Sequence, residues 1–407
     1  MDTSGIGRRI AYWRGRRRMT QADFGTLMGK SRRWVQDIEG GQRQTDPRLS
    51  VLERAAEVLH VRLEALLSDH TSGLPAAECV DAAELAQIRE VLHRHDVITG
   101  TCDGGCEPVD LGVLRRNVAY GWTAFQASDY SPLGRVLPPL LADANRAAAQ
   151  QEGGTQPTAL SLLSLTYQLT AATATKFGDE SLAWHAADRG VVAAERSGDP
   201  VAIAAAARHL CDAMFHRGDG PAAIDFATTT AERLEGELVA RGAEGLSVLG
   251  MLFLKASLAA AHIEARGSVP GLLDAAGESA DRLATDGNAL WTAFGPTNVR
   301  IHRVSALVRL HDGADAVAAA MQIPPPDRQA LPRERRAHHL VDVARGLIQS
   351  GRRAEAVAKL LEAEREAPEE VHCRPRSKQL VEDLRLLGAG SAEGQLRALA
   401  ARCGLPA

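Results

Sequence analysis

The chain is poor in aromatic residues, in cysteine and in long apolar runs, and each shortage excludes a class of protein. Aromatic side chains make up 4% of the 407 residues, and the six cysteines are too scattered for a disulfide framework. No run of 18 apolar residues predicts a membrane span, and the N-terminus lacks the apolar core of a signal peptide. We therefore expect a cytoplasmic protein that does not bind membranes.

Strand patterns are also missing. No stretch sustains the alternation of apolar and polar residues that a half-buried strand requires. From residue 111 onward the pattern is instead helix after helix, rich in alanine at spacings that suit helix contacts. The sequence therefore predicts an all-α fold.

Charge is distributed unevenly along the chain. Residues 1–50 contain 11 Lys and Arg against 5 Asp and Glu, a net charge of +6. Because the whole chain has a formal charge of −4, residues 51–407 carry −10. A basic N-terminal segment on an acidic remainder is typical of a DNA-binding domain joined to a domain with another role.

Within the basic segment, residues 20–40 predict two short helices. Thr20 is a good N-cap for the first, and Gly29 ends it because glycine readily adopts positive φ. Ser31 caps the second helix. The residues that we expect to face inward are Phe24, Leu27, Met28, Val35 and Ile38, and those that we expect to face outward are Arg32, Arg33, Gln36 and Asp37. Two helices joined by such a turn form a helix-turn-helix, whose second helix enters the DNA major groove.

These residues resemble the phage-repressor-type helix-turn-helix family, also called the xenobiotic response element family. The shared positions are Gln21, Gly25, Gly29, Ser31 and the Glu39-Gly40-Gly41 closure. The resemblance implies a five-helix lambda-repressor-like domain over residues 1–68, with helices 4 and 5 at 47–59 and 62–67. Gly25 replaces the usual alanine and Lys30 replaces the usual apolar residue, so we expect a loosely packed turn.

The resemblance also implies roles for individual side chains. Arg14 of helix 1 is expected to pair with Glu39, which ends helix 3. Base contacts are expected from the second helix and phosphate contacts from its surroundings, because Arg reads guanine, Gln reads adenine and both bind phosphate. The expected DNA-binding residues are Gln21, Lys30, Ser31, Arg32, Arg33, Gln36 and Arg43. The alternative is that residues 20–40 form an ordinary helical hairpin.

The remainder of the chain is repetitive. A linker at 69–80 and a helical connecting region at 81–150 precede five similar segments within 151–407. Their opening glycines recur about every forty residues, at Gly178, Gly218, Gly267, Gly313 and Gly351. Helix pairs at that period predict an α-solenoid, in which each pair buries its apolar face against the next. The pattern resembles degenerate tetratricopeptide repeats, and the whole plan is similar to actinobacterial regulators and to peptide-sensing quorum regulators.

Such a helical array is expected to present a concave surface to a small molecule or a peptide. Candidate effector-binding residues are the polar and aromatic side chains that interrupt the Ala/Leu background. The first group is Trp184, His185 and Arg189; the second is Trp291, Phe294, Asn298 and His302; a third is His338, His339 and Asp342. In the peptide-sensing regulators, inner Asn side chains hold the ligand, which implies that role for Asn298. Ordinary packing between repeats is the alternative for every group.

We thus expect a transcriptional regulator that binds palindromic DNA as a homodimer through its helical domain and responds to an effector. No cofactor or metal is expected. A zinc site at His93, His95, Cys102 and Cys106 is an alternative to reduced, unliganded side chains, although the spacing is unusual for zinc. A scaffold that binds a partner protein shares the same fold. An enzyme would need His339/Asp342 or the His/Cys group, since no nucleophile elbow or phosphate loop is present.

Overall fold

A computed structural model of the protein describes residues 3–16, 19–40, 47–59, 61, 63, 66, 82–94 and 108–405. The chain divides into two compact units, the N-terminal unit Met1–Leu74 and the helical body Pro75–Ala407. All regular secondary structure in the described residues is helical, which confirms the predicted all-α class.

The N-terminal unit contains four described helices around one apolar core. They are α1 Thr3–Arg16, α2 Gln21–Leu27, α3 Arg32–Glu39 and α4 Leu49–Leu59. The predicted fifth helix at 62–67 lies largely outside the described residues. The core contains Ile6, Ile10, Phe24, Met28, Val35, Ile38, Leu52, Ala55, Ala56, Leu59 and Leu66.

Leu27 is a correction to the predicted core, because its side chain is 49% exposed. Phe24 and Met28 are buried, and their spacing of four residues keeps both on one face of α2. Leu27 is the last residue of that short helix, and its carbonyl accepts a hydrogen bond from Arg54 Nη2. The inner face of α2 is therefore narrower than the sequence predicts.

The helical body contains seventeen helices in its described part. They are α5 Ala82–Leu92, α6 Leu111–Gln126, α7 Ser131–Gln150, α8 Gln156–Phe177, α9 Glu180–Ser197, α10 Pro200–His216, α11 Gly220–Ala240, α12 Gly242–His262, α13 Val269–Leu283, α14 Pro296–Arg309, α15 Gly313–Met321, α16 Pro325–Ala330, α17 Arg333–Gln349, α18 Arg353–Glu366, α19 Pro368–His372, α20 Pro375–Leu387 and α21 Glu393–Arg402.

Five antiparallel helix pairs form most of this body, at the places that the glycine spacing predicts. The pairs are α8/α9, α10/α11, α12/α13, α14/α15 and α17/α18. Gly178 ends α8 with a φ of +75°, a conformation that glycine adopts without steric cost. Each pair packs on the next through small side chains, mainly alanine, so the helices approach closely.

The helical body also joins helices that are far apart in sequence. Trp122 of α6 stacks on Trp291, with ring centroids 5.6 Å apart and planes inclined by 12°. Gln126 and Asn288 exchange side-chain hydrogen bonds of 3.0 and 2.9 Å. The start of the body therefore contacts its middle, which differs from the open array that the repeat pattern alone predicts.

A buried ionic cluster joins the first helix pair to helices near the C-terminus. Lys176 Nζ of α8 lies 2.7 Å from Glu370 of α19 and also pairs with Glu334 of α17. Arg374 donates to Glu370 across 2.7 Å, and the Tyr130 hydroxyl donates to the same carboxylate. Burial disfavours ionised Glu334, but the nearby Lys176 ammonium outweighs it and holds the pKa at about 2.

Among the described residues, one helix is long and apolar enough to cross a membrane by length and composition. It is α12, with a mean hydropathy of 1.4 over an 18-residue window. That window is 83% buried inside the helical body, where α12 packs between α11 and α13. The apolar character of α12 is thus explained by its place in the core.

The cysteines differ in state. Cys211 and Cys403 are free and buried, and burial raises the pKa of each thiol to about 12. Cys373 is disulfide-bonded, which departs from the expectation of reduced thiols, and its partner is not among the described residues.

The cluster around Lys176 makes a sharp stability prediction. Lys176→Met should lower the free energy of unfolding by roughly 3–5 kcal/mol, because Glu334 and Glu370 would stay buried without their shared cation. Lys359→Met is the matched control, since Lys359 pairs with Glu362 at the protein surface and should cost about 0–1 kcal/mol. Equal urea midpoints for the two variants would show that the buried cluster adds no stability.

Candidate functional site

In the N-terminal unit, a cap at the start of each of α2 and α3 and a glycine between them fix the conformation of the two helices and their turn. Thr20 and Asp23 form a reciprocal capping box at the start of α2, with bonds of 3.0 and 3.1 Å. The Ser31 hydroxyl accepts a hydrogen bond from the Trp34 backbone at the start of α3. Gly29 between the helices has a φ of +65°. Each of these features is local, so the sequence alone predicts them.

The turn is tightly packed, which corrects the expectation of a loose one. A Cβ atom added to Gly25 would lie 2.9 Å from the Lys30 carbonyl oxygen and 3.3 Å from the Ser31 carbonyl group. The Lys30 N–H in turn donates to the Gly25 carbonyl across 2.7 Å. Glycine at this position lets α2 approach the turn more closely than alanine would allow.

The outer face of α3 carries the predicted base-contacting residues. Arg32, Arg33 and Gln36 are exposed, while Val35 and Ile38 are buried beneath them. Lys30 and Ser31 are also exposed at the start of the helix, and Arg43 lies outside the described residues. Trp34 is half-buried and packs against the core, with Lys30 Nζ 6.0 Å from its ring centroid.

Glu39 is the centre of a polar network that joins three helices. Arg14 Nε and Nη2 donate to its carboxylate across 2.6 and 3.0 Å, a bidentate pair. This pairing raises the pKa of the Arg14 guanidinium. Gln21 Nε2 donates to the same carboxylate across 2.9 Å, so its amide is held between α2 and α3. The contact of Gln21 with a DNA phosphate stays a prediction.

The comparison with known families concerns this unit alone. A family model described as a helix-turn-helix domain matches residues 6–68. The N-terminal unit is a helix-turn-helix domain. No curated protein matches the chain. The presence of a helix-turn-helix domain supports the interpretation of the protein as a DNA-binding regulator. The outward face of α3 is the surface that would contact DNA.

The helical body contains a partly open cavity of about 120 Å³. Two aromatic rings, Trp122 and Trp291, form part of its wall. The charged side chains in the wall are Lys176, Arg208, Asp212, Lys255, Arg309, Glu334, Arg335, Arg374 and Arg376. Seven cations thus face two carboxylates, an excess of positive charge in a partly buried space.

Four histidines also line the cavity, and burial keeps them neutral near pH 7. Burial is the main cause that lowers the pKa of His209, His302 and His338 well below the usual range. The pKa of His216 falls to about 4 for the same reason. The positive charge of the cavity therefore comes from its lysines and arginines.

The first predicted effector group lies outside this cavity. Arg189 donates to the Leu92 carbonyl, and His185 meets the His93 ring edge-on at 5.5 Å between centroids. Trp184 packs beneath the Arg217 guanidinium at 4.5 Å. Arg189 and His185 thus attach α5 to α9, a packing role that competes with the predicted effector contact.

Only half of the second predicted effector group lines the cavity. Trp291 and His302 line the cavity, whereas Phe294 and Asn298 are buried apart from it. Phe294 packs where Gly250 leaves room, since an added Cβ there would lie 1.9 Å from the ring. Asn298 Nδ2 donates to the Thr292 carbonyl across 3.3 Å.

The third predicted group is divided as well. His338 lines the cavity, and its Nε2 lies 3.7 Å from Asp342. His339 is buried outside the lining, and its Nδ1 has no hydrogen-bond partner among the described residues. Asp342 accepts a hydrogen bond from Ser305. The neighbour of Asp342 that reaches the cavity is therefore His338, not the His339 of the enzyme alternative.

The cavity cations were not predicted from sequence. Arg208 interrupts the alanine run of α10 and Lys176 is the last basic residue of α8, so a charge within an apolar stretch was the available signal. Their convergence with Arg335 and Arg374 depends on contacts across more than a hundred residues. Local spacing carries no information about such contacts.

One group has metal-ligand geometry in the described residues. Glu334, His338 and Glu370 bring their ligand atoms within 4.8 Å of one another. Lys176 already pairs with both carboxylates and Arg374 with Glu370, so a divalent cation would add charge to a neutralised cluster. We assign no metal here. Of the zinc alternative only His93 is described; His95, Cys102 and Cys106 lie outside the described residues.

The tight turn predicts opposite effects for two glycine substitutions. Gly25→Ala should destabilise the helix-turn-helix by roughly 1–3 kcal/mol, because the new Cβ meets backbone atoms of the turn. Gly15→Ala in α1 meets nothing within 4 Å and should stabilise by about 0.5–1 kcal/mol. Hydrogen exchange of the α1 to α3 amides measures both. Slower exchange in Gly25→Ala would contradict the close approach.

Proposed function

We propose that the protein is a sequence-specific DNA-binding transcriptional regulator, located in the cytoplasm, of the phage-repressor type. Its helical body would form a homodimer and bind a small-molecule or peptide effector. The observation that carries the DNA-binding part is the exposed row Arg32, Arg33 and Gln36 on α3, in a domain matched as a helix-turn-helix.

The row is well suited to reading base edges in the major groove. Arg donates in bidentate fashion to guanine, and Gln both donates to and accepts from adenine. Val35 and Ile38 anchor the opposite side of α3 in the core, and the network at Glu39 fixes the end of the helix. A recognition helix that is held at both its inner face and its end presents its side chains in one orientation.

The effector and dimer parts are supported by architecture. The helical body is far larger than a DNA-binding domain needs, and stacked helix pairs commonly provide ligand or partner surfaces. Its cavity offers a partly buried space with charged and aromatic walls. One helix-turn-helix covers only a half-site, so binding to a palindrome calls for a dimer.

Arg33 is the sharpest test of base reading. Arg33→Ala should weaken binding to a selected operator by roughly 1–3 kcal/mol and relax preference at one base position. Arg33→Lys is the matched control, since it keeps the charge but loses the bidentate geometry. The measurement is fluorescence anisotropy on operator and random duplexes at fixed salt, after selection of operators from genomic fragments.

Two outcomes would count against this assignment. Full binding by Arg33→Lys, with Arg33→Ala losing equally on operator and random DNA, would make Arg33 a phosphate contact. Failure of the intact protein to bind any genomic fragment at low salt, together with a co-purified protein partner, would favour a scaffold instead.

Dimerisation has its own measurement. We expect sedimentation equilibrium of the intact chain to give twice the 43.4 kDa chain mass at micromolar concentration, with the same doubling for residues 75–407 alone. Operators should contain two half-sites about 34 Å apart. A monomeric helical body combined with a dimeric N-terminal unit would reverse the proposed dimer interface.

A further inference from the structure

We propose that the cavity of the helical body binds a compact organic anion, a carboxylate or phosphate monoester that bears a planar apolar group, with Arg208 as its buried counter-ion. This inference rests on the proposed effector role of the body and names the chemical class of the effector.

Arg208 is the observation that carries the inference. Its side chain is 4% exposed, yet it forms no ion pair with any carboxylate in the part of the chain that the structure describes. Within the described residues its hydrogen bonds go to the Ala205 and Leu290 carbonyls, and both are long at 3.3 Å. Burial and the nearby Arg335 lower its pKa to about 10, and the Asp212 carboxylate offsets this only in part. A buried guanidinium without an anion is costly, and a bound anion would remove that cost.

Other cavity cations already have carboxylate partners. Lys176 pairs with Glu334 and Glu370, and Arg374 pairs with Glu370. Arg335 lies 3.6 Å from Glu334, and Lys255 pairs with Asp212 across 2.7 Å. What remains is a smaller set of side chains whose charge is not matched.

Arg376 and Arg309 belong to that remaining set, together with Arg208. Arg376 is exposed at the cavity edge and has no ion pair or hydrogen bond within the described ranges. Arg309 donates to the Ser305 carbonyl of its own helix. Although its side chain reaches solvent, the loss of part of its hydration at the cavity edge and the neighbouring Arg309 and Arg374 lower the Arg376 pKa to about 10. A ligand with one or two negative charges would match this excess.

Cavity size and wall chemistry limit the rest of the ligand. A cavity of about 120 Å³ is smaller than the roughly 150 Å³ that accommodates benzene in an engineered protein core, so it holds at most one small ring, with the rest of the ligand at the open edge near Arg376. Trp122, Phe125, Phe215 and Trp291 supply apolar wall. Arg208 lies 5.9 Å from the Trp122 ring centroid, which places a cation directly beside an aromatic surface. An anionic group attached to a planar ring fits both features.

The wall around Trp291 is also strained. Leu290, Trp291 and Ala293 have φ values of +49°, +53° and +49°, in the left-handed region that side chains other than glycine rarely adopt. The bond from Arg208 to the Leu290 carbonyl and a 3.1 Å bond from Gln126 to the Trp291 carbonyl hold this stretch. Strained backbone of this kind is concentrated at functional sites, an independent indication that the cavity wall has a role.

The experiment measures binding of defined probes to the intact chain. Benzoate and phenyl phosphate test the two anion classes, inorganic phosphate tests the anion alone, and benzamide is the neutral match to benzoate. We expect at least one aromatic anion to bind by calorimetry and to raise Tm by about 3 °C at 100 times its Kd. Benzamide and inorganic phosphate should bind at least about tenfold more weakly.

Variants identify the site. Arg208→Met should weaken binding of the aromatic anion by roughly 30-fold or more, because the charge of the ligand would be buried without a counter-ion. Without ligand, the same variant should keep or raise Tm, since it removes an unpaired buried cation. Arg376→Gln, at an exposed position that should not affect folding, should weaken binding about fivefold, about the upper end for an exposed charge pair. Arg233→Gln on the exposed face of α11 should leave Kd unchanged.

Several results would overturn the inference. One is that neither aromatic anion shifts Tm at millimolar concentration. Another is that benzamide binds as tightly as benzoate. A third is that Arg208→Met and Arg376→Gln leave the Kd of the aromatic anion unchanged. Operator binding measured in the same samples separates the two proposals. If DNA binds and no anion does, only this inference fails; if an anion binds through Arg208 and no DNA is bound, the inference stands and the proposed function fails.

Discussion

The helical body depends on one constraint: charges removed from water must neutralise each other. Lys176, Glu334 and Glu370 come from three helices, Arg374 precedes a fourth as its N-cap, and all four are buried together. None could be buried alone without a large desolvation cost, so the helices that carry them are placed relative to one another. The cavity is built on this cluster, since Lys176, Glu334 and Arg374 also form part of its wall.

In the N-terminal unit the helices are positioned by close contact between their backbones, whereas in the helical body they are positioned by buried charges. A Cβ added to Gly7 would lie 2.2 Å from the Ile38 carbonyl oxygen, so α1 lies directly against the end of α3. Glu39 follows in sequence and holds Arg14 and Gln21. The inner side and the end of α3 are therefore held in place, which fixes the direction in which its outer side presents Arg32 and Arg33.

Local features of this chain were predictable, and contacts between distant segments were not. Thr20 and Ser31 cap the helices that follow them, and Gly29 lies in the turn between these helices. The repeat period predicted the five helix pairs. Phe294 lay in a polar and aromatic sequence cluster, yet it is core because Gly250, more than forty residues away, leaves room for it. Arg208 meets Trp122 only in the folded body, so its sequence neighbours do not reveal its role.

The contact between the start and the later part of the body fixes how many helix pairs the chain can have. Open helical arrays grow and shrink by duplication or loss of single repeats, since each repeat contacts only its neighbours. Here an added or lost pair between α8 and α13 would displace Glu334 and Glu370 from Lys176 and Asn288 from Gln126. Descendants of this gene can therefore vary in surface and in cavity lining, whereas a change in repeat number would require a new closing contact.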